Sequence, residues 1–122
     1  MKLEAVDYAS ATAQQDFVES LHKTGFGVLK NHPIQKELVS NIYQAWQAFF
    51  DSQNKNDYRY NVGTQDGYFP PDVSETAKGH SKKDIKEYFH YYPWGQCPAE
   101  LKEQLAQYYR EANKLAAELL GW

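Results

Sequence analysis

A chain of 122 residues is one domain's worth at most, enough for a modest core. Its 13 basic and 16 acidic residues leave a formal net charge of −3, which excludes a broad basic field for nucleic acid. The single cysteine, Cys97, excludes an internal disulfide and a thiolate metal cluster; with no signal-peptide core and no bilayer-length apolar run, a soluble cytoplasmic protein is expected.

Residues 3–8, LEAVDY, have the composition of a short strand. Ser10 or Thr12 is placed to cap the helix that follows, and Gln15, three residues past Thr12, has capping-box spacing. Phe17, Val18 and Leu21 form that helix's apolar stripe, and Gly25 ends it. The run FGVLKN, 26–31, reads as a second strand. Pro33 then starts a second helix over residues 34–52, where Leu38, Ile42, Ala45, Trp46, Phe49 and Phe50 recur at three- and four-residue steps. The polar stretch SQNKNDYRYNVGTQDG, 52–67, reads as a loop. Residues 84–92 are a further strand candidate through Ile85, Tyr88, Phe89, Tyr91 and Tyr92. Pro98 stands at a helix start, and Leu101, Leu105, Tyr108, Ala112, Leu115 and Leu119 mark one amphipathic helix to the end. Two or three short strands cannot make a covered sheet alone, and the last helix carries an unmet apolar stripe. The expected class is therefore α+β, as part of something larger.

Little local chemistry is encoded. His22, His32, His80 and His90 have no carboxylate two residues on and no H-E-x-x-H spacing, so they read as exposed or hydrogen-bonded histidines. Cys97 precedes a proline and has no placed base; there is no G-x-S-x-G elbow. Gly25-Phe26-Gly27 lacks the rest of a phosphate loop.

The aromatic fraction of 16%, with ten tyrosines, is the unusual number, and it concentrates in GYFPPDVSETAKGHSKKDIKEYFHYYPW, 67–94. Three readings stand. The run is a strand packed on a core with tyrosine tips in water, or the wall of a small-molecule cleft, or a stacking platform for single-stranded nucleic acid, which the acidic balance disfavours. The charges Lys82, Lys83, Asp84, Lys86 and Glu87 read most simply as a solvated face.

In order along the chain stand AVDY, GFGVLKNHPI, WQAFFDSQNK with Lys55, GYFPP and DIKEYFHY. Together they resemble the N-terminal region of the isopenicillin N synthase-like, 2-oxoglutarate- and iron-dependent oxygenases over residues 4–122. One departure is Pro33, where the family has glycine, so the turn into the second helix is expected to differ.

The resemblance implies helices and short strands that pack on, and extend, a double-stranded β-helix (jelly-roll) core lying downstream, with residues 1–122 forming an N-terminal domain incomplete without it. It implies Fe(II) and 2-oxoglutarate for the full-length protein. In the family these are held by a His-x-Asp, a distant His and an Arg-x-Ser, all beyond the matched region, so no catalytic, metal or cofactor residue is assigned in this chain. It further implies that Gln65 and Phe69, flanking Gly67-Tyr68, face the substrate, with Tyr68 and Tyr88 beside them in the cleft wall. Gln65 stands where some relatives have an arginine and offers only neutral hydrogen bonds. Lys86 and Glu87 are expected to build the strand that leans on the jelly roll.

The expected partners are the downstream catalytic domain and a small-molecule substrate, with no nucleic acid and no membrane. Two alternatives remain open. One is a free-standing, aromatic-rich interaction or scaffold module that self-associates through residues 101–119. The other is a degenerate oxygenase that keeps only its scaffold.

Overall fold

The computed structural model describes residues 2–73, 76, 78–82 and 84–122; Lys83 of the charged run lies outside them. The elements are β1 (Ala5–Asp7), α1 (Ala13–Thr24), β2 (Val28–Lys30), α2 (Lys36–Asp51), β3 (Gly67–Phe69), β4 (Tyr88–His90) and α3 (Lys102–Leu120). Short 3-10 helices occupy Gln53–Tyr58 and Pro71–Val73. The α+β class is as expected. The chain divides into two compact units, Met1–Ser40 with Gln107–Trp122, and Asn41–Ala106, so the division falls inside α2 and α3.

In the first unit β1 and β2 pair in parallel, Val6 opposite Leu29, and α1 is the crossover that parallel pairing requires. Gly25 closes α1 in the left-handed conformation at φ 77°, its N–H donating to the Leu21 carbonyl. The expected capping box does not form. Thr12 stands at the N-cap, but its hydroxyl donates to the Asp16 carboxylate at 2.7 Å and makes no cap bond to the backbone. At φ −101° and ψ 6° the Thr12 backbone is not in the extended conformation that aims an N-cap oxygen at the first-turn N–H groups. Beyond β2, Asn31 adopts φ 58° and its Nδ2 donates to Asp7 Oδ1 at 3.0 Å, tying the NHP turn to β1. Pro33 does not open α2, which starts at Lys36 with its first turn closed by Val39 N–H on the Gln35 carbonyl. Trp122 packs edge-on to Phe17 at 5.7 Å and stacks on Tyr8 at 6.0 Å. Tyr8 donates its hydroxyl to Glu118 on α3.

In the second unit, Phe49 is the centre of an aromatic core, within about 6 Å of the rings of Trp46, Phe50, Tyr58, Tyr68 and Phe89. β3 and β4 pair antiparallel, with Gly67 opposite His90, Tyr68 opposite Phe89 and Phe69 opposite Tyr88. The expected strand 84–92 shrinks to Tyr88–His90, and Ile85 is fully exposed. The reason lies across the ladder. Phe69 is followed by Pro70 and Pro71, which have no N–H to donate, so pairing stops at Tyr88. Pro98 likewise sits in a turn, accepting from the Leu101 N–H, and α3 begins at Lys102.

The stripe on α3 is not wholly unmet. Leu101 and Leu105 are buried within the second unit. Leu115 and Leu119 line a groove of about 320 Å³ in the first unit with Phe17, Leu29, Ile34 and Val39. Among the described residues, no helix is long and apolar enough to cross a membrane.

Candidate functional site

The alternation of β4 separates two faces of the β3–β4 ribbon. Tyr68 and Phe89 point to the α2 aromatics: Phe89 lies 5.0 Å from Trp46 and Tyr68 lies 6.2 Å from Phe49 and Phe50. Lys86, Tyr88, His90 and Tyr92 share the other side. There Phe69 is sandwiched, its ring parallel to Tyr60 at 4.4 Å and to Tyr88 at 4.8 Å, with His90 tilted against it at 4.6 Å. Trp94 extends the row by stacking on Tyr92 at 5.1 Å and is largely exposed.

One ionic cluster pins the inner face. Glu87 Oε2 accepts from the Tyr68 hydroxyl at 2.5 Å and from Lys55 Nζ at 3.1 Å, and Lys55 also donates to the Phe50 carbonyl at 2.7 Å. The hydrogen bond from Tyr68 and the Lys55 charge hold the Glu87 carboxyl below its ordinary value. Burial, then the bond to Glu87, pushes the Tyr68 phenol up to about 12. Glu87 is therefore not part of a solvated face: its carboxylate fastens β4 to β3 and to the end of α2.

A second cluster pins the loop before β3. The Asn61 side chain accepts the N–H groups of Gly63 and Thr64, and the Asn61 carbonyl accepts the Gln65 N–H at 2.7 Å. Asp66, 4% exposed, accepts from the Thr64 hydroxyl and, at 2.6 Å, from the Gln96 N–H, bonds that hold its carboxyl below the ordinary range. The Gln96 side chain returns Nε2 to the Arg59 and Asp66 carbonyls.

Of the residues expected to face a substrate, Gln65 is exposed at the end of the ribbon, but its amide donates back to the Val62 carbonyl at 2.7 Å. Phe69 is 6% exposed, enclosed by its aromatic neighbours. Tyr68 is buried on the inner face, and Tyr88 is half-buried on the outer one. Phe69 and Tyr88 meet directly; Tyr68 lies across the ribbon from them. Sequence reasoning passed over Tyr60, Asp66, His90 and Gln96. Only His90 had a usable signal, the two-residue period it shares with Tyr88 and Tyr92.

The family described as "non-haem dioxygenase in morphine synthesis N-terminal" matches residues 2–116. The chain belongs to the non-haem dioxygenase N-terminal family. No curated protein matches it. A crystal structure from Shewanella oneidensis, described as a "Putative oxygenase", is 59% identical with a TM-score of 0.89; the alignment covers 100% of this chain and 44% of that one. The dioxygenase N-terminal region thus spans less than half the length of that neighbour. Family motifs become contacts here: AVDY meets KNHP through Asp7 and Asn31, and the Phe-Phe…Lys element meets KEY through Lys55 and Glu87. Among the described residues, no three His, Cys, Asp or Glu side chains cluster closely enough to hold a metal ion. The described residues therefore offer no donor set that fits iron.

Proposed function

We propose that this chain is the N-terminal region of an iron- and 2-oxoglutarate-dependent oxygenase, in which it braces a downstream jelly-roll core and lends a wall to the substrate cleft. Iron and 2-oxoglutarate, held by residues outside this chain, would supply the oxygen chemistry. The part played by this chain is binding, orientation and exclusion of water. The observation that carries the cleft role is the stack of Tyr60, Phe69 and Tyr88 on the ribbon face turned away from α2, a row of parallel rings on an anchored ribbon. In this reading Tyr88 and Gln65 stand at the substrate side, Phe69 supports Tyr88 from beneath, and Tyr68 holds the ribbon through Glu87. The alternative of self-association through 101–119 has less to draw on, because Leu101 and Leu105 are already buried within the chain.

Two measurements test the proposal. The full-length protein, loaded with Fe(II), should release succinate from 2-oxoglutarate; no succinate under any iron loading would remove the cosubstrate from the reading. With a substrate found by its stimulation of that turnover, Tyr88→Ala should raise KM about fivefold or more while kcat changes less, as loss of a stacking contact requires. An unchanged kcat/KM would take Tyr88 out of the cleft.

A further inference from the structure

We infer that His90 is the specificity-determining residue of the aromatic face, offering its Nε2 as hydrogen-bond acceptor to a flat ring that carries a hydroxyl or amine donor. This rests on the cleft-wall reading above and names the chemistry of the occupant. The argument begins at Nδ1, which lies 3.2 Å from the Gln65 carbonyl oxygen. A carbonyl only accepts, so Nδ1 carries the proton, and in the neutral ring Nε2 keeps its lone pair. Nε2 makes no hydrogen bond among the described residues, and the His90 side chain is exposed.

The tautomer is enforced by a strained support. Gln65 has φ 60°, a left-handed conformation that a residue with a Cβ adopts at a cost. Its N–H bonds to Asn61 O, its side chain bonds to Val62 O, and the next residue, Asp66, is fixed to Thr64 and Gln96. A loop held at so many points aims the Gln65 carbonyl at His90. An alternative loop conformation would turn that carbonyl away and free the imidazole to exchange tautomers.

The surroundings define the ligand. The His90 ring lies 4.6 Å from Phe69, 5.0 Å from Tyr88 and 6.4 Å from Tyr92, so its acceptor is set in a field of ring faces and edges. Such a field takes a planar ring by offset stacking. Lys86, a cation on this face, lies over Tyr88 at 5.6 Å and is paired with Asp84 at 3.6 Å. A lone pair rather than an ammonium therefore meets the ligand at the His90 end. That selects a donor group on the ring and disfavours a carboxylate.

The test uses the full-length protein with two probes of one shape, 4-ethylphenol and 4-ethylanisole, titrated by NMR while the His90, Tyr88 and Tyr92 signals are followed. The phenol should bind about fivefold tighter than its methyl ether, the size of one neutral hydrogen bond. His90→Phe, which keeps a ring on the stack, should erase that preference and leave affinity for the ether unchanged. Nitrogen shifts of the imidazole should report the Nδ1–H tautomer. Equal binding of both probes to the wild type, a preference that survives His90→Phe, or an Nε2–H tautomer overturns the inference and leaves the cleft wall standing. If neither probe moves the signals of any of the three residues, both are overturned.

Discussion

At the scale of single residues, Phe69 is the side chain whose role the geometry fixes most firmly. It is 6% exposed between two parallel rings, so Phe69→Ala removes stacking on both faces and opens a void. A loss of about 3–4 kcal/mol is expected in urea unfolding, whereas an exposed substrate contact would lose well under 1 kcal/mol. Glu87 is the second such residue. Glu87→Gln keeps the shape but leaves the Lys55 ammonium facing a neutral amide, and should cost about 1–3 kcal/mol. A double-mutant cycle of Lys55→Met and Glu87→Gln should show a coupling of about 1 kcal/mol; additivity would mean that the pair is incidental. The sequence marked Tyr68, Phe69 and Tyr88 as a group, yet could not divide them between the two ribbon faces. That division depends on where β4 pairs, and β4 is placed by residues far away in the chain, Lys55 on Glu87 and Trp46 and Phe49 on Phe89. Asp66 was invisible for a related reason: its partners Thr64 and Gln96 form no recognisable spacing.

At the scale of elements, helices were more legible than strands. The apolar periods of α2 and α3 marked both helices, because a 3.6-residue repeat is written locally. Their starts were misplaced by about three residues, because Pro33 and Pro98 each serve a turn that precedes the helix. Three-residue strands carry almost no periodic signal, and their ends are set by the partner strand. Gly67 shows how tightly β3 is placed. At φ 107° a Cβ would lie 2.6 Å from the Tyr58 carbonyl oxygen and 2.6 Å from Gln96 Nε2. Both the backbone angle and the space require glycine. Gly67→Ala should therefore cost about 2–4 kcal/mol and speed amide exchange at Tyr60 and Asn61, whose N–H groups donate to the Tyr68 and Asp66 carbonyls. Fast exchange confined to the first unit would contradict this account of the ribbon.

At the scale of the whole molecule, the family was legible because its motifs are contacts: Asp7 with Asn31, and Lys55 with Glu87, keep both partners in the sequence even when each fragment alone is weak. The same contacts set the pH response. Asp7, Asp66 and Glu87 all have depressed carboxyl values, so their contribution is complete above the ordinary carboxylate range and is lost as pH falls below that range through their folded values. Tyr68 runs the other way. Its folded value is raised from 10.0 to about 12, so its contribution is present below pH 10 and disappears between 10 and 12. Thermal midpoints measured against pH should form a plateau between these limits; Tyr68→Phe should flatten the alkaline edge and also shrink the Glu87 share of the acid one, because it removes the hydrogen bond that holds that carboxyl down. An alkaline edge unmoved by that substitution would assign it to other groups.

The tryptophans give each unit its own chromophore. Trp122 sits against Tyr8 and Phe17 in the first unit, while Trp46 lies among Phe49, Phe50 and Phe89 in the second. Trp94 is largely exposed and can be replaced by phenylalanine to clear the background. Emission from Trp94→Phe then comes from two indoles in different surroundings, and removing either one leaves a reporter of a single unit. Denaturant titrations of the two single-tryptophan variants can thus follow the βαβ unit and the aromatic ribbon separately.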